Sequence, residues 1–138
     1  MKSSIIHRFQ SIASTAILTL FLGISSMNAF AAPPVVSLDD ARKALETDTA
    51  TIMIDIREPS EHANGVAKGA KLIPMSQLGR RLAELPKPGA EKFMVICATQ
   101  NRSANIVGQL QQMGYTNASY VHGGMSGWSM RAWPMIKP

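Results

Sequence analysis

Apolar and polar positions in this chain alternate with two periods, one helical and one extended. "SLDDARKALE" places Leu38, Ala41 and Leu45 on one helical face. Ser37 stands at its N-cap with Asp40 three residues on, the spacing of a capping box. "TIMIDI", Thr51 to Ile56, is β-rich and almost wholly apolar, as in a strand covered on both faces. "REPSEHANG" is polar and ends in Gly65, so it predicts a loop with at most one helical turn, and "AKLIP" predicts a second short strand. "QLGRRLAEL" spaces Leu78, Leu82 and Leu85 as a helix, with Ser76 expected as its cap and "PKPG" as its stop. "KFMVICA" predicts a third strand. In "SANIVGQLQQM" the pattern turns Ile106, Val107, Leu110 and Met113 inward and the glutamines outward, with Gly114 as C-cap. "ASYVHGG" predicts a last strand and "MSGWSMRAW" a closing helix.

Strands alternating with helices imply an α/β fold, a central, mostly parallel sheet with helices on both faces. Ligands of such folds bind beyond the carboxyl ends of the strands. The chain shows no internal repeat and no low-complexity tract.

The first residues follow a different pattern. Lys2 and Arg8 precede an unbroken apolar run, Ala16 to Ile24, and then small residues at Ala29 and Ala31. A basic start, a short apolar stretch and an A-x-A site describe a secretory signal peptide, expected to span 1–31. The apolar run is too short for a membrane span, which needs about 20 such residues. Removing 31 of the 138 residues leaves 107, one domain over 32–138. The mature chain keeps 12 basic and 9 acidic residues, a mildly basic balance that suits a small anionic substrate. There is no Lys/Arg run with interleaved aromatics, so nucleic acid is not an expected partner. A periplasmic or secreted location is expected, with no membrane association once the leader is removed.

Exported domains commonly pair their cysteines, yet this chain has one, Cys97. It ends a predicted strand and is followed by Ala98, Thr99, Gln100, Asn101, Arg102 and Ser103 at the start of a predicted helix. A tight strand-to-helix turn aims several N–H groups inward, and the helix adds the positive end of its dipole. A helix N-terminus contributes roughly 0.5–2 kcal/mol to an adjacent anion. A guanidinium at ~5 Å contributes about 3 kcal/mol at an effective dielectric near 20. Together these are enough to favour a thiolate. Cys97 is therefore read as a nucleophile in an anion cradle, against the alternative of a buried apolar cysteine.

Three separated blocks then share one resemblance. "IDIREPSEHANGVAKGAKLIPM" resembles the first signature of rhodanese-like sulfurtransferases, Asp-x-Arg at a strand end followed by a Glu-rich turn and Gly-x-x-x-Gly-Ala. "VICATQNRSANIVGQLQQMGY" resembles their active-site segment, and "VHGGMSGW" their closing Gly-Gly-x-x-x-Trp. The resemblance covers Ser37 to Trp133 and implies a rhodanese-like three-layer fold of about five strands. It implies that Cys97 takes the outer sulfur of thiosulfate or a related donor as a persulfide. A thiol, a protein or cyanide then accepts that sulfur. Ala98 to Ser103 would cradle the sulfur and Arg102 would attract the donor. Asp55 would brace the loop backbone or Arg102, while Arg57 would add positive field or pair with Glu58 or Glu61; a structural salt bridge is the alternative for both. No metal or organic cofactor is implied, and a monomer is expected.

Two positions depart from the family pattern. Gln100 stands where glycine is usual, at a cost if the site is left-handed, and Val66 stands where histidine is frequent. A persulfide carrier or binding module for a redox partner remains an alternative. A cysteine-dependent phosphatase or arsenate reductase is another, although those cradles have five residues between Cys and Arg rather than the four found here. The seven methionines of the mature chain follow no helical face and read as core fillers. His122 has no second ligand at metal spacing, and Asn117-Ala118-Ser119 matches a glycosylation sequon.

Overall fold

The computed structural model describes residues 31–138; the expected leader, all but Ala31, lies outside the described residues. Ser37 caps the first helix as its spacing predicts. Its Oγ accepts the Asp40 N–H at 3.1 Å and donates to the Asp40 carboxylate at 2.6 Å. That helix, α1 (Leu38–Thr47), follows a two-residue strand, β1 (Val35–Val36), absent from the sequence reading because two residues carry no period. Then come β2 (Ile52–Asp55), α2 (Pro59–His62), β3 (Lys71–Leu72), α3 (Met75–Leu78) and a 3-10 segment over Gly79–Glu84. The chain closes with β4 (Phe93–Ile96), α4 (Asn101–Gln112), β5 (Ala118–Val121) and α5 (Gly124–Met130).

All five strands are parallel, in the order β1-β5-β4-β2-β3. β4 is buried throughout, which is why its sequence is an unbroken apolar run. Alternation along β2 and β4 feeds two cores. Ile54, Ile56, Phe93, Val95 and Cys97 meet Val107 and Leu110 of α4 and Leu78 of α3. On the other face Met53, Met94 and Ile96 meet Leu38 and Ala41 of α1 and Met125 and Trp128 of α5. Helices thus cover both faces, giving three layers.

The predicted helix after Ser76 is broken. Its first turn is capped by Pro74, and the rest tightens to 3-10 with a kink at Arg81. Ser76 does not cap it; its N–H and Oγ both donate to the Glu58 carboxylate, at 3.0 and 2.7 Å. Met113, expected inward, is 55% exposed at the end of α4, where Gly114 turns the chain with φ 90°. Asn117, the sequon residue, is buried. Its Nδ2 donates to the Lys87 and Glu91 carbonyls and its Oδ1 accepts the Gly89 N–H, so it pins the loop before β4.

β2 and β4 are neighbours whose onward connections diverge, one toward β3 and the other toward β5. Their carboxyl ends therefore border a crevice, the place where doubly wound sheets bind ligands.

Candidate active site

Cys97 follows the last residue of β4, and Asp55 ends β2 in register with Ile96. The Ile56 N–H donates to the Ile96 carbonyl at 3.0 Å, so the two strand ends are locked together. Cys97 is fully buried. Its Sγ lies 3.4 Å from both the backbone nitrogen and the Oγ of Ser103. The thiol donates to that hydroxyl, which donates onward to the Gln100 carbonyl at 3.1 Å. The Ser103 N–H points at the sulfur and belongs to the first turn of α4, where amides have no partner inside the helix.

The loop is held from outside by its carbonyls. Met125 and Ser126, opening α5, donate to the carbonyls of Cys97 and Ala98 at 2.8 and 2.7 Å. Gly124 makes this possible. At φ 56° it sits where a Cβ would come within 2.5 Å of the Cys97 oxygen and 2.6 Å of the Ala98 oxygen, and would also clash with that of Thr99. With its carbonyls turned to α5, the loop keeps its N–H groups free. Among the described residues those of Thr99, Gln100, Asn101 and Arg102 find no protein acceptor.

Gln100 departs from the family's glycine without entering the left-handed region. Its φ is −157°, and its Oε1 accepts the Gly123 N–H at 2.9 Å. Thr99 and Asn101 are exposed on the outside of the loop and Ala98 is partly covered.

Asp55 and Arg57 take the alternative role, a structural salt bridge with each other. Asp55, fully buried, braces neither the loop nor Arg102. It accepts from Arg57 Nε at 3.0 and 3.1 Å, from Nη2 at 2.7 Å and from the Arg57 N–H at 3.1 Å. Arg57 in turn pairs with neither the Glu58 nor the Glu61 carboxylate. Its remaining donors reach the carbonyls of Gly65 at 2.9 Å and Glu61 at 3.4 Å. His62, also buried, places Nε2 3.4 Å from Asp55 without forming a hydrogen bond.

Arg102 is paired with Glu61, at 2.6 and 2.9 Å. Glu61 was missing from the expected site. Its signal was present in the Glu-rich turn, but nothing local indicates that the turn folds onto a helix 41 residues away. The guanidinium holds the Glu61 carboxyl down to about 2, and Glu61 in turn raises the Arg102 pKa. Glu61 also accepts the Glu58 N–H at 2.9 Å, closing a capping box on α2.

A cavity of about 350 Å³ flanks the loop, bordered by Arg57, Gly65, Ala98, Met125, Ser126 and Met135. The C-terminal segment forms one wall. Val66 and Ile136 exchange backbone hydrogen bonds, both 2.9 Å. Position 66 is thus a buried backbone-pairing position, where the side chain contributes only apolar packing.

Comparison with known proteins supplies the context. The family model for the rhodanese-like domain matches residues 37–131. A sulfurtransferase of Allochromatium vinosum is 30% identical over 87 residues, covering 63% of this chain and 79% of that protein. An uncharacterised Synechocystis protein is 29% identical over 93 residues, 67% of this chain, and the chain spans only about half of it, 51%. The crystal structure of a rhodanese-related protein from Thermoplasma volcanium superposes with a TM-score of 0.63 at 31% identity, covering 76% of this chain and 99% of that one.

Proposed function

The chain belongs to the rhodanese-like family, and from that premise we propose that it is a sulfurtransferase working through a persulfide on Cys97. The observation that carries the reading is the position of Sγ. It lies at the head of a four-residue loop whose N–H groups are unspent and whose carbonyls are held away by α5.

The thiolate attacks the outer sulfur of a sulfane donor, thiosulfate or a relative. The donor's S–S bond breaks, its electron pair leaves with sulfite, and the sulfur stays on Cys97 as a persulfide. The Ser103 N–H, already on Sγ, and the free amides of the loop stabilise the negative charge on both sulfurs. A thiol, a protein thiolate or cyanide then attacks the outer sulfur of the persulfide and restores the enzyme. A second reading, a carrier loaded by a protein partner, is favoured by one observation, the complete burial of Cys97.

Export of a monomer belongs to the same proposal. Lys2, Arg8, the run from Ala16 to Ile24 and the A-x-A at Ala29–Ala31 support the export. Protein recovered from outside the cytoplasm should begin at Ala32.

The deciding experiment is intact mass spectrometry of reduced protein after exposure to saturating thiosulfate or benzenethiosulfonate, beside a Cys97→Ser variant. A gain of one sulfur in wild type alone, removed by cyanide as thiocyanate through repeated cycles, is expected. Gain without multiple turnover identifies a carrier, and no gain from either donor refutes the sulfurtransferase reading.

A further inference from the structure

Sulfur transfer leaves Glu61 without a role, although it holds the loop's arginine. Both of its carboxylate oxygens are bonded to the Arg102 guanidinium. Its pKa of about 2 keeps it charged at every pH where a thiolate operates. Arg57, the other guanidinium beside the β2–β4 crevice, is bound to buried Asp55. The Lys137 ammonium, on the neighbouring C-terminal segment, donates to the Ala63 carbonyl at 2.7 Å and is exposed, so water and salt screen its charge. Both guanidinium charges around Cys97 are therefore matched by carboxylates. What still attracts an anion is the set of free loop N–H groups and the N-terminus of α4, which amounts to roughly half an elementary charge. That suits one negative charge and poorly compensates two.

We propose that Glu61, by occupying Arg102, sets the site for sulfur donors that carry one negative charge, organic persulfides and thiosulfonates, in preference to dianionic thiosulfate. The inference rests on the sulfurtransferase reading above and names its donor class. Both classes react alike. Sγ⁻ bonds to the outer sulfur, the old S–S bond breaks, and the pair departs as sulfite, as a sulfinate or as a thiolate. Charge is conserved and no oxidant is consumed. Glu61 touches no reacting atom and acts through Arg102 as a positioning residue.

The test is the second-order rate of persulfide formation on the full chain, by rapid quench and mass spectrometry. Thiosulfate is compared with benzenethiosulfonate, which differs by one charge. Glu61→Gln keeps an oxygen for the Glu58 N–H while releasing Arg102. It should raise the thiosulfate-to-thiosulfonate rate ratio about tenfold, equivalent to ~1.4 kcal/mol, and make the thiosulfate rate fall more steeply with salt. Glu61→Asp, which keeps the charge, should stay near the wild-type ratio. An unchanged ratio in Glu61→Gln, or an equal loss on both donors, overturns the proposal while leaving the sulfurtransferase reading intact. Should Glu61→Gln not fold, a wild-type salt series decides. Parallel slopes for the two donors support the proposal, and a steeper thiosulfate slope overturns it. Loading from neither donor overturns both readings.

Discussion

Asp55 and Glu61 are both carboxylates bonded to arginines, yet they should behave in opposite ways when replaced. Asp55 and Arg57 are both buried, so removing the carboxylate strands a guanidinium in the interior. Asp55→Ala should cost about 3–5 kcal/mol, measured by denaturant unfolding. Glu61 and Arg102 are each about one-third exposed, at 33% and 32%, and water screens the pair. Glu61→Gln should cost no more than about 1 kcal/mol. Its contribution has a defined pH window. The folded pKa, about 2, lies below the reference 4.5. The stabilisation is therefore complete above 4.5 and fades as the pH falls through 2. Melting temperatures of wild type and Glu61→Gln should differ most above that window and converge at its acid end. The residue types of this network were legible in the sequence, since Asp55, Arg57 and Cys97 sit at strand ends or just past them and Arg102 opens the helix after the Cys97 loop. The pairings were not legible, because Asp55 could reach Arg57 or Arg102 with equal plausibility until the fold placed Glu61 on Arg102.

Periodicity identified α1, α4, α5 and the strands β2, β4 and β5, because each buries apolar side chains in one or both of the two cores, whereas two-residue β3 was marked by its flanking Ala70 and Ile73. It failed where a competing partner intervened. Ser76 carries the chemistry of a cap, but Glu58 takes both of its donors, and the turn before Gly79 begins on Pro74 instead. It also undervalued the junction of β5 with α5. The Gly123–Gly124 pair looks like a strand end, whereas Gly124 is what lets the first N–H groups of α5 reach the Cys97 loop. Gly124→Ala should displace the carbonyls of Cys97, Ala98 and Thr99 and turn the loop N–H groups away from Sγ. Persulfide formation should fall at least about tenfold, with a stability loss of about 1–3 kcal/mol from overpacking and the positive φ. Gly127 also packs closely, but against the flexible Leu38 side chain. Gly127→Ala should lose stability while leaving sulfur loading close to wild type, a contrast that separates loop geometry from helix packing.

At the scale of the whole molecule, among the described residues, both cores and all five strands of the sheet lie within 32–138. The 32–138 fragment should therefore unfold in one cooperative transition in denaturant, the same by fluorescence and by circular dichroism. The C-terminal segment ties distant parts of the chain together. After α5 the chain turns at Ala132, with φ 51°, and gives the Pro134 carbonyl to Trp128 Nε1 at 3.0 Å. It then crosses to the β2–β3 connection, where Ile136 pairs with Val66 and Lys137 reaches Ala63. Met135 packs on Gly65, whose missing side chain leaves it room. The segment has no period of its own, so the sequence pattern gave no hint that it forms a wall of the cavity. Removing residues 134–138 would leave the Trp128 indole N–H and both backbone groups of Val66 without protein partners. Water can reach some of these groups once the segment is gone, so the cost should be about 2–4 kcal/mol. The same deletion opens the flank of the Cys97 loop at Gly65 and Met135. If the segment restricts access to the buried thiol, alkylation of Cys97 by iodoacetamide should accelerate more than the stability loss accounts for. An acceleration that merely tracks the population of unfolded chain would make the segment a structural strap with no part in access.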